Sequence, residues 1–303
     1  MSNADNRHYK DLNATAEWIA RCEERFAEDV KSIAEDICLE RGLKVVRLFG
    51  PTCSGKTTAA DILVAVFESL GKRAHIVSID DFYYSREYLL ELSRAKGLDG
   101  LDYDSPDTID AQALKIFVGE IFESNEAHCP VYDFTIGERN GHKTFSIDEK
   151  DIFIFEGIQA NYPNVKEILS EYGSASIFII PESRVCAGGV EFMPQKLRLM
   201  RRIVRDFLFR NSSPEFTLNI WRSVRANEDE NIFPYAKESD YFVDSSMEYE
   251  VGVLKPYLCR ILAQVPTDSE FYPRAYEILS SLEKVDEIPR ELILPHYLYC
   301  EFV

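Results

Sequence analysis

One short motif near the start of the chain constrains its fold more than any other feature. Residues 50–58 read Gly-Pro-Thr-Cys-Ser-Gly-Lys-Thr-Thr and match the phosphate-binding loop G-x-x-x-x-G-K-[ST]. The apolar run at 43–49 predicts a buried strand before the loop, and an amphipathic pattern that stops at Gly71 predicts a helix after it. This order places backbone N–H groups and the positive end of a helix dipole around a phosphate.

The loop residues indicate how a nucleoside triphosphate would be held. Lys56 is placed to reach the β- and γ-phosphates, and the Thr57 hydroxyl is placed to bind Mg²⁺. The cofactors predicted are therefore ATP, or GTP, together with Mg²⁺. We expect nucleotide contacts from the whole loop, which consists of Gly50, Pro51, Thr52, Cys53, Ser54, Gly55, Lys56, Thr57 and Thr58.

The bulk properties of the chain narrow the class of protein. Its 303 residues carry a formal net charge of −18, which disfavours nucleic acid and anionic membranes as partners. We expect no membrane span, because no run of about 18 uncharged apolar residues occurs. The polar start at 1–7 lacks the apolar core of a signal peptide. We therefore expect a cytoplasmic protein that acts on a small molecule, and a homo-oligomer stays open.

Short apolar runs that alternate with helical patterns predict the architecture. Strands are expected at 74–79, 151–157 and 176–180, in addition to the run before the loop. This alternation is typical of an α/β fold in which helices cover both faces of a parallel sheet. Ligands bind at the carboxyl ends of such strands, so Asp80 and Glu156, which end two of them, should lie beside the phosphate loop.

The pattern divides the chain into three segments. Residues 1–42 form an N-terminal helical extension, residues 43–265 the nucleotide-binding domain, and residues 266–303 a C-terminal helical tail. Within the middle segment, residues 184–216 are interpreted as a lid. The amphipathic helix predicted at 11–41 is expected to pack on the nucleotide domain, and a partner-binding helix is the alternative.

Two acids are candidates for the chemistry. Phosphoryl transfer needs a base near the attacking hydroxyl and hard oxygen ligands for the metal. Asp80 could accept the proton of that hydroxyl or hold Mg²⁺, and its neighbour Asp81 is the main rival for the role. Glu156 suits the first or second coordination shell of Mg²⁺, beside Thr57 and Asp80. The alternative for each acid is an ordinary turn or helix-cap residue.

An arginine-rich helix is expected at 197–209. Arginines three and four residues apart repel one another unless an anion or carboxylates lie opposite them. We interpret their face as a lid that closes over the ATP phosphates, and the alternative is a solvated face paired with the many acids of this protein. The arginines concerned are Arg198, Arg201, Arg202 and Arg205, followed by Arg210.

A candidate substrate pocket combines aromatic and acidic residues. Residues 85–110 look irregular and acidic, and they include Tyr103 and Asp104. Tyr132 and Phe134 lie in a short extended segment further along the chain. Aromatic faces stack on planar rings and carboxylates accept hydrogen bonds from sugar hydroxyls, but such residues also commonly belong to a core.

Six segments in order across about residues 43–255 resemble the uridine kinase and phosphoribulokinase family of P-loop kinases. They are 50–58, 78–83, 103–107, 130–134, 155–158 and 201–206. The chain is most similar to a subgroup of longer bacterial uridine kinase-like proteins, whose members often carry an N-terminal TGS-type module that has no counterpart in this sequence. The resemblance implies a five-stranded parallel sheet with helices on both sides and a lid.

The resemblance also implies roles for individual residues. Asp80 would be the catalytic base, with Lys56 and Arg202 assisting phosphoryl transfer, and Thr57, Asp80 and Glu156 would surround Mg²⁺. Arg205 and Arg210 would bind the phosphates of the nucleotide. The acceptor site would be lined by Tyr103, Asp104, Tyr132, Phe134 and Arg202.

Two places depart from the family pattern. Gly137 falls about where uridine-cytidine kinases have a histidine that reads the pyrimidine edge, and the nearest histidine is His142. Residues 210–212 read Arg-Asn-Ser, where the lid normally continues Arg-Gly-Arg. The sequence thus predicts an ATP- and Mg²⁺-dependent kinase, with a nucleoside 5′-hydroxyl as the leading acceptor. A kinase of another hydroxyl compound, such as a sugar phosphate or a pantothenate-like molecule, and a nucleotide-dependent regulatory protein are the alternatives.

Overall fold

The fold is taken from a computed structural model that describes residues 11–97, 101 and 103–303. Residues 1–10, which include the polar start and part of the predicted extension, lie outside this range. The strands are β1 (Val45–Phe49), β2 (Arg73–Ser78), β3 (Glu126–Asp133), β4 (Glu138–Ser146), β5 (Asp151–Glu156), β6 (Ala175–Ile180), β7 (Val185–Ala187), β8 (Val190–Phe192) and β9 (Tyr241–Asp244).

The helices surround these strands. They are α1 (Leu12–Glu35), α2 (Lys56–Ser69), α3 (Arg86–Ala95), α4 (Ala111–Glu123), α5 (Pro163–Ser170), α6 (Pro194–Phe209), α7 (Pro214–Asn231), α8 (Phe233–Ala236), α9 (Glu250–Leu262) and α10 (Tyr272–Leu282). None of the described helices is both long and apolar enough to cross a membrane.

Five parallel strands form the central sheet, as the family resemblance implies, and their order is β2-β5-β1-β6-β9. Every residue of β1 and β6 is buried, which explains why these strands read as apolar runs interrupted only by Arg47 in β1 and Ser176 in β6. In the register of β5, Glu156 pairs with Ser78 on one side and Leu48 on the other. The carboxyl ends of β1, β2 and β5 therefore meet at one edge of the sheet.

Helices cover both faces of the sheet, which confirms the predicted layers. On one face, Val46 and Leu48 of β1 belong to a core shared with α1, α2, α6, α9 and α10. On the other face, Val45 and Phe49 belong to a second core shared with α4 and α5. Successive residues of a strand point to opposite faces, so two buried faces require an apolar residue at nearly every position.

Helix α1 and the C-terminal segment pack into the first of these cores. Phe26 of α1 and Leu298 and Phe302 near the C-terminus are all buried there. The Glu23 carboxylate accepts a hydrogen bond from the Leu298 backbone N–H at 3.0 Å and another from the Tyr249 hydroxyl. The boundaries drawn after residues 42 and 265 remain predictions, but no separate core underlies either end in the described part of the chain.

The structure differs from the sequence interpretation in two segments. Residues 86–95, expected to be irregular, form α3, which begins at the Ser85 cap and buries little more than Leu89 and Ser93. The extended segment at Tyr132 belongs to a longer hairpin of β3 and β4. Both elements lie mostly at the surface: α3 is a short helix that buries two of its ten residues, and β4 is exposed along almost its whole length. Short or exposed elements give a weaker sequence signal than buried ones.

Replacing Asp151 by asparagine should destabilise the fold in a pH-dependent way. Burial favours the neutral acid, but hydrogen bonds from Arg73, from the Asp148 backbone and from His75 outweigh burial and lower the pKa of Asp151 to about 2. A lowered pKa stabilises the fold above the usual range of the carboxyl, and this contribution is lost as the pH falls towards about 2.

Urea unfolding measures this effect. At neutral pH we expect Asp151→Asn to lower the free energy of unfolding by about 1.5–3 kcal/mol, because the charged acceptor of several hydrogen bonds is lost. The difference from the parent protein should shrink at about pH 2–3, where the parent carboxyl is also becoming neutral. Glu149→Gln, at an exposed position nearby, is the control. If Asp151→Asn lost the same free energy of unfolding at both pH values, the ionised Asp151 carboxylate would not be the source of the stability.

Candidate active site

The phosphate loop joins β1 to α2 with a backbone that two glycines permit. A side chain at Gly50 would bring a Cβ atom within 2.1 Å of the Ile179 carbonyl oxygen. Gly55 has a φ of +90°, which favours glycine, and it caps the N-terminus of α2. Gly50 is thus required by the close approach of β6, and Gly55 is required by the turn into α2.

The loop offers the donors that a phosphate chain needs. The Lys56 ammonium lies over the loop and donates to the carbonyl oxygens of Gly50 at 3.1 Å and Pro51 at 3.2 Å. The Ser54 hydroxyl is buried and has no hydrogen-bond partner in the described part of the chain. A buried hydroxyl without a partner beside a helix N-terminus fits a loop that binds an anion.

Asp80 and Glu156 come together beside Lys56. Asp80 lies in the 3₁₀ turn Ile79–Phe82 that follows β2, and Glu156 is the last residue of β5. Burial raises the pKa of Glu156 to about 7, while the Lys56 charge opposes the rise and the Asp80 charge adds to it. Burial also raises the pKa of Asp80, and a hydrogen bond from Tyr83 and the charge of Lys56 hold it down. The two acids can therefore share a cation with the loop.

Asp81 faces away from this pair. Its carboxylate accepts the Tyr132 backbone N–H at 3.0 Å and so ties the turn after β2 to the β3–β4 hairpin. The geometry therefore favours Asp80 over its neighbour as the acid beside Lys56.

Two side chains that the sequence did not single out support Asp80. The Tyr83 hydroxyl is buried and hydrogen-bonded to the Asp80 carboxylate. The buried amide of Gln159 donates to the Tyr83 oxygen at 3.0 Å and to the Tyr103 carbonyl oxygen at 2.6 Å. Tyr83 ends the same motif as Asp80 and could have been chosen on that ground, whereas no pattern distinguishes Gln159.

The aromatic residues chosen from the sequence cluster around Tyr83, which contacts Asp80. The rings of Tyr132 and Phe134 lie 5.0 Å apart between centroids, and Tyr83 lies 5.3 Å from Tyr103 and 6.3 Å from Phe134. Phe134 is half exposed, whereas Tyr132 is buried. Asp104 lies within electrostatic range of Tyr83, and its backbone carbonyl accepts from the Tyr162 hydroxyl at 3.0 Å. The cluster thus provides an aromatic surface that opens to solvent at Phe134.

The arginine helix differs from the expectation of one shared face. Arg198 and Arg201 are fully buried, and each pairs with a buried carboxylate, Glu228 and Glu250 respectively. Arg201 also donates to the Cys53 carbonyl oxygen at 3.3 Å. Neither arginine is free to close over a phosphate, so the lid interpretation is wrong for these two residues. They pair with acids, as the alternative expects, but on a buried face and not on a solvated one. Helical spacing could not reveal this, because the partner acids lie far away in the sequence.

The other arginines of this segment gather around Asp206, and one of them, Arg205, reaches the phosphate loop. Arg202 donates to Asp206 at 3.1 Å, and Arg205 donates to Asp206 at 2.7 Å and to the Thr52 hydroxyl at 3.3 Å. Arg210 is more than half exposed, and its charge lowers the pKa of Asp80, so it lies within electrostatic range of the proposed base. Asp206 thus holds three cations at the border of the site.

The C-terminal tail borders the loop as well. The Thr58 hydroxyl donates to the Glu301 carboxylate at 3.3 Å, and a Cβ at Gly55 would meet the Leu298 side chain at 2.9 Å. The charge of Glu301 also contributes to the raised pKa of Glu156. The tail therefore packs directly on the start of α2, which its sequence alone gave no reason to expect.

Binding of Mg²⁺ with ATP should release a proton if Glu156 approaches the metal. Because the pKa of this carboxyl is raised to about 7, the free protein carries its proton below that pH, and a metal ligand must be ionised. Calorimetry at about pH 6, in two buffers of different ionisation heat, should report release of roughly 0.5–1 proton. Release should fall towards zero at about pH 9, and Glu156→Gln should abolish it at both values. If Glu156→Gln released as many protons as the parent protein, the proton would not come from Glu156.

A parallel sheet, a phosphate loop, an acid pair at the sheet edge and a flanking arginine helix define a P-loop kinase. The family model of the "Phosphoribulokinase / Uridine kinase family" matches residues 45–251. The chain belongs to this family and is an ATP-dependent phosphotransferase with an alcohol-group acceptor. Use of a nucleotide and Mg²⁺ is general in the family.

Individual relatives agree with this family. The chain is 28% identical over 200 residues to a uridine kinase of Ureaplasma urealyticum, covering 66% of this chain and 86% of the relative. It is 22% identical over 245 residues to a pantothenate kinase of Streptococcus pyogenes, covering 75% and 78%. Among solved structures, the YGR205w protein has a TM-score of 0.50 at 19% identity, covering 69% and 89%, and shows a similar fold.

Proposed function

We propose that the protein is a uridine kinase-like nucleoside kinase that transfers the γ-phosphoryl group of ATP to a 5′-hydroxyl. The observation that carries this proposal is the convergence of Lys56, Asp80 and Glu156 at one edge of the sheet, next to the aromatic cluster. Phosphoryl transfer depends on positioning and on charge stabilisation, and these groups supply both.

Each part of the site has a role in this proposal. Lys56 binds the β- and γ-phosphates, and Asp80 accepts the proton of the attacking hydroxyl. Thr57, Asp80 and Glu156 hold Mg²⁺, which draws charge from the transferring group when bound. Arg202, Arg205 and Arg210 bind and stabilise phosphate oxygens. Tyr103, Asp104, Tyr132 and Phe134 receive the nucleoside, with the base on the aromatic rings and the ribose near the acids.

A kinase of another hydroxyl compound is the second candidate. Gly137 lacks a side chain where the family pattern has a base-reading histidine, and the pantothenate kinase similarity covers more of the chain than the uridine kinase similarity does. A purely regulatory nucleotide-binding protein is less well supported, because it has no need of an acid placed as Asp80 is.

ADP release in the presence of Mg²⁺ and ATP, across a panel of acceptors, tests the proposal. We expect uridine or another ribonucleoside to stimulate release well above the rate with ATP alone. Lys56→Ala is the matched negative control, since it removes the cation at the β- and γ-phosphates, and it should lower the stimulated rate by about 10²-fold or more. Stimulation by pantothenate or a sugar phosphate alone would favour the second candidate, and stimulation by no compound would favour a regulatory role.

A further inference from the structure

The proposed acceptor pocket has two chemically different ends. At one end the Tyr83 hydroxyl contacts the Asp80 carboxylate, which is where the reacting hydroxyl would lie. The rings of Tyr103 and Phe134 follow, 6.1 Å apart between centroids. At the other end lies Arg86, the first residue of α3, whose guanidinium donates to the Phe134 carbonyl oxygen and contacts the Tyr103 hydroxyl. The aromatic cluster therefore has an acid on one side and a guanidinium on the other.

Arg86 lies where a side chain at position 137 would otherwise be. A Cβ atom built on Gly137 would lie 2.7 Å from the Arg86 Nε atom and 2.8 Å from its Cζ atom. The Arg86 backbone N–H also donates to the Gly137 carbonyl oxygen at 2.7 Å. The hairpin turn and α3 are thus fitted to each other, and the Arg86 side chain fills the space beside Gly137.

A guanidinium can only donate hydrogen bonds. It has five N–H donors, keeps its charge at all physiological pH values and has no acceptor. The Phe134 carbonyl and the Tyr103 hydroxyl use two of these donors at most, so others remain for a ligand. A ligand oxygen or nitrogen with a lone pair could accept a hydrogen bond from Arg86, whereas an amino group in the same place would gain none from it.

We propose that Arg86 selects the phosphoryl acceptor by donating to an oxygen of its base, so that uridine is accepted and cytidine is disfavoured. The inference rests on the proposed nucleoside kinase function. In a pyrimidine nucleoside the C4 substituent lies across the ring from the bond to ribose, and hence farthest from the 5′-hydroxyl. With that hydroxyl at Asp80, the C4 carbonyl of uridine would face Arg86, whereas cytidine would place an amine there.

Steady-state kinetics with uridine and cytidine test the proposal directly. We expect the parent protein to favour uridine by about 10–100-fold in kcat/KM, the range for one hydrogen bond to a charged group. In Arg86→Gln, whose amide can both donate and accept, the preference should fall to within about threefold of parity, mainly through a higher KM for uridine. Arg86→Lys, which still only donates, should retain most of the preference.

Control measurements separate selectivity from damage to the fold. Arg94→Gln, an exposed arginine in the last turn of the same helix, should leave the uridine-to-cytidine ratio unchanged. ATP affinity in the absence of acceptor, measured by calorimetry, should be the same in the parent protein and in Arg86→Gln. A purely structural arginine would lower activity towards both nucleosides alike and leave their ratio unaltered.

The outcomes also distinguish this inference from the proposed function. Equal use of uridine and cytidine by the parent protein, or an unchanged ratio in Arg86→Gln, would overturn the role of Arg86 and leave the nucleoside kinase standing. Turnover of neither nucleoside, together with normal ATP binding, would overturn the nucleoside acceptor and the role of Arg86 with it.

Discussion

Asp80→Asn should slow phosphoryl transfer by about 10²–10⁴-fold while ATP still binds. Asparagine keeps the shape of the side chain but cannot take the proton of the acceptor hydroxyl. Lys56 and the backbone of the phosphate loop do not depend on Asp80 for their position, since Lys56 is held by the carbonyl oxygens of Gly50 and Pro51. The variant should therefore lose kcat and retain affinity for the nucleotide.

Asp81→Asn is the matched comparison for this experiment. Its amide oxygen can still accept the Tyr132 backbone N–H, which is the contact that Asp81 makes. We expect a change in kcat of less than about threefold, which would assign the role to the first of the two neighbouring acids. Full activity of Asp80→Asn, or a larger loss in Asp81→Asn, would contradict the assignment.

Arg201→Met should destabilise the protein more than the same replacement at Arg202 or Arg205 of α6. Arg201 donates to Glu250 at 2.8 Å, to the Tyr299 hydroxyl at 3.0 Å and to the Ser245 carbonyl oxygen at 2.8 Å. Removal of the guanidinium leaves the Glu250 carboxylate buried without its counter-charge. The expected loss in the free energy of unfolding is about 3–5 kcal/mol, measured by urea denaturation.

Two further variants show whether the buried charge causes this loss. The double replacement of Arg201 by methionine and Glu250 by leucine should recover part of the lost stability, because it removes the unpaired charge together with its partner. Arg184→Met breaks an exposed pair with Glu191 and should cost less than about 1 kcal/mol. A deficit in Arg201→Met no larger than that in Arg184→Met would show that the buried pair contributes little.

Much of the fold could be predicted because its central elements are buried on both faces. β1 and β5 read as apolar runs, and the acid that ends β5 lies beside the loop because of the parallel register. The α3 helix and the β3–β4 hairpin were harder to predict, since α3 is only ten residues long and β4 is exposed along almost its whole length. The position of Asp80 at the edge of the sheet could be predicted from the end of the strand before it. The choice between Asp80 and Asp81 depended on the structure, which shows that Asp81 accepts the Tyr132 backbone N–H.

The partners of several side chains could not be predicted because they come from segments that are distant in the sequence. Arg201 and Arg205 are both arginines on one helix, yet the first is neutralised by Glu250 and the second reaches Thr52 in the loop. Spacing along a helix gives a direction for each side chain, but the partner comes from tertiary packing. The same holds for Glu301, which lies 243 positions from Thr58 in the chain and contacts it directly.

Phosphorus NMR of the reaction products tests the central claim most directly. The protein is incubated with ATP, Mg²⁺ and uridine, and the spectrum is recorded with proton coupling. The account predicts the growth of a phosphomonoester signal that is split by the two protons of a 5′-methylene group, in step with the formation of ADP. A spectrum that shows only ADP and inorganic phosphate, or unchanged ATP, would contradict it.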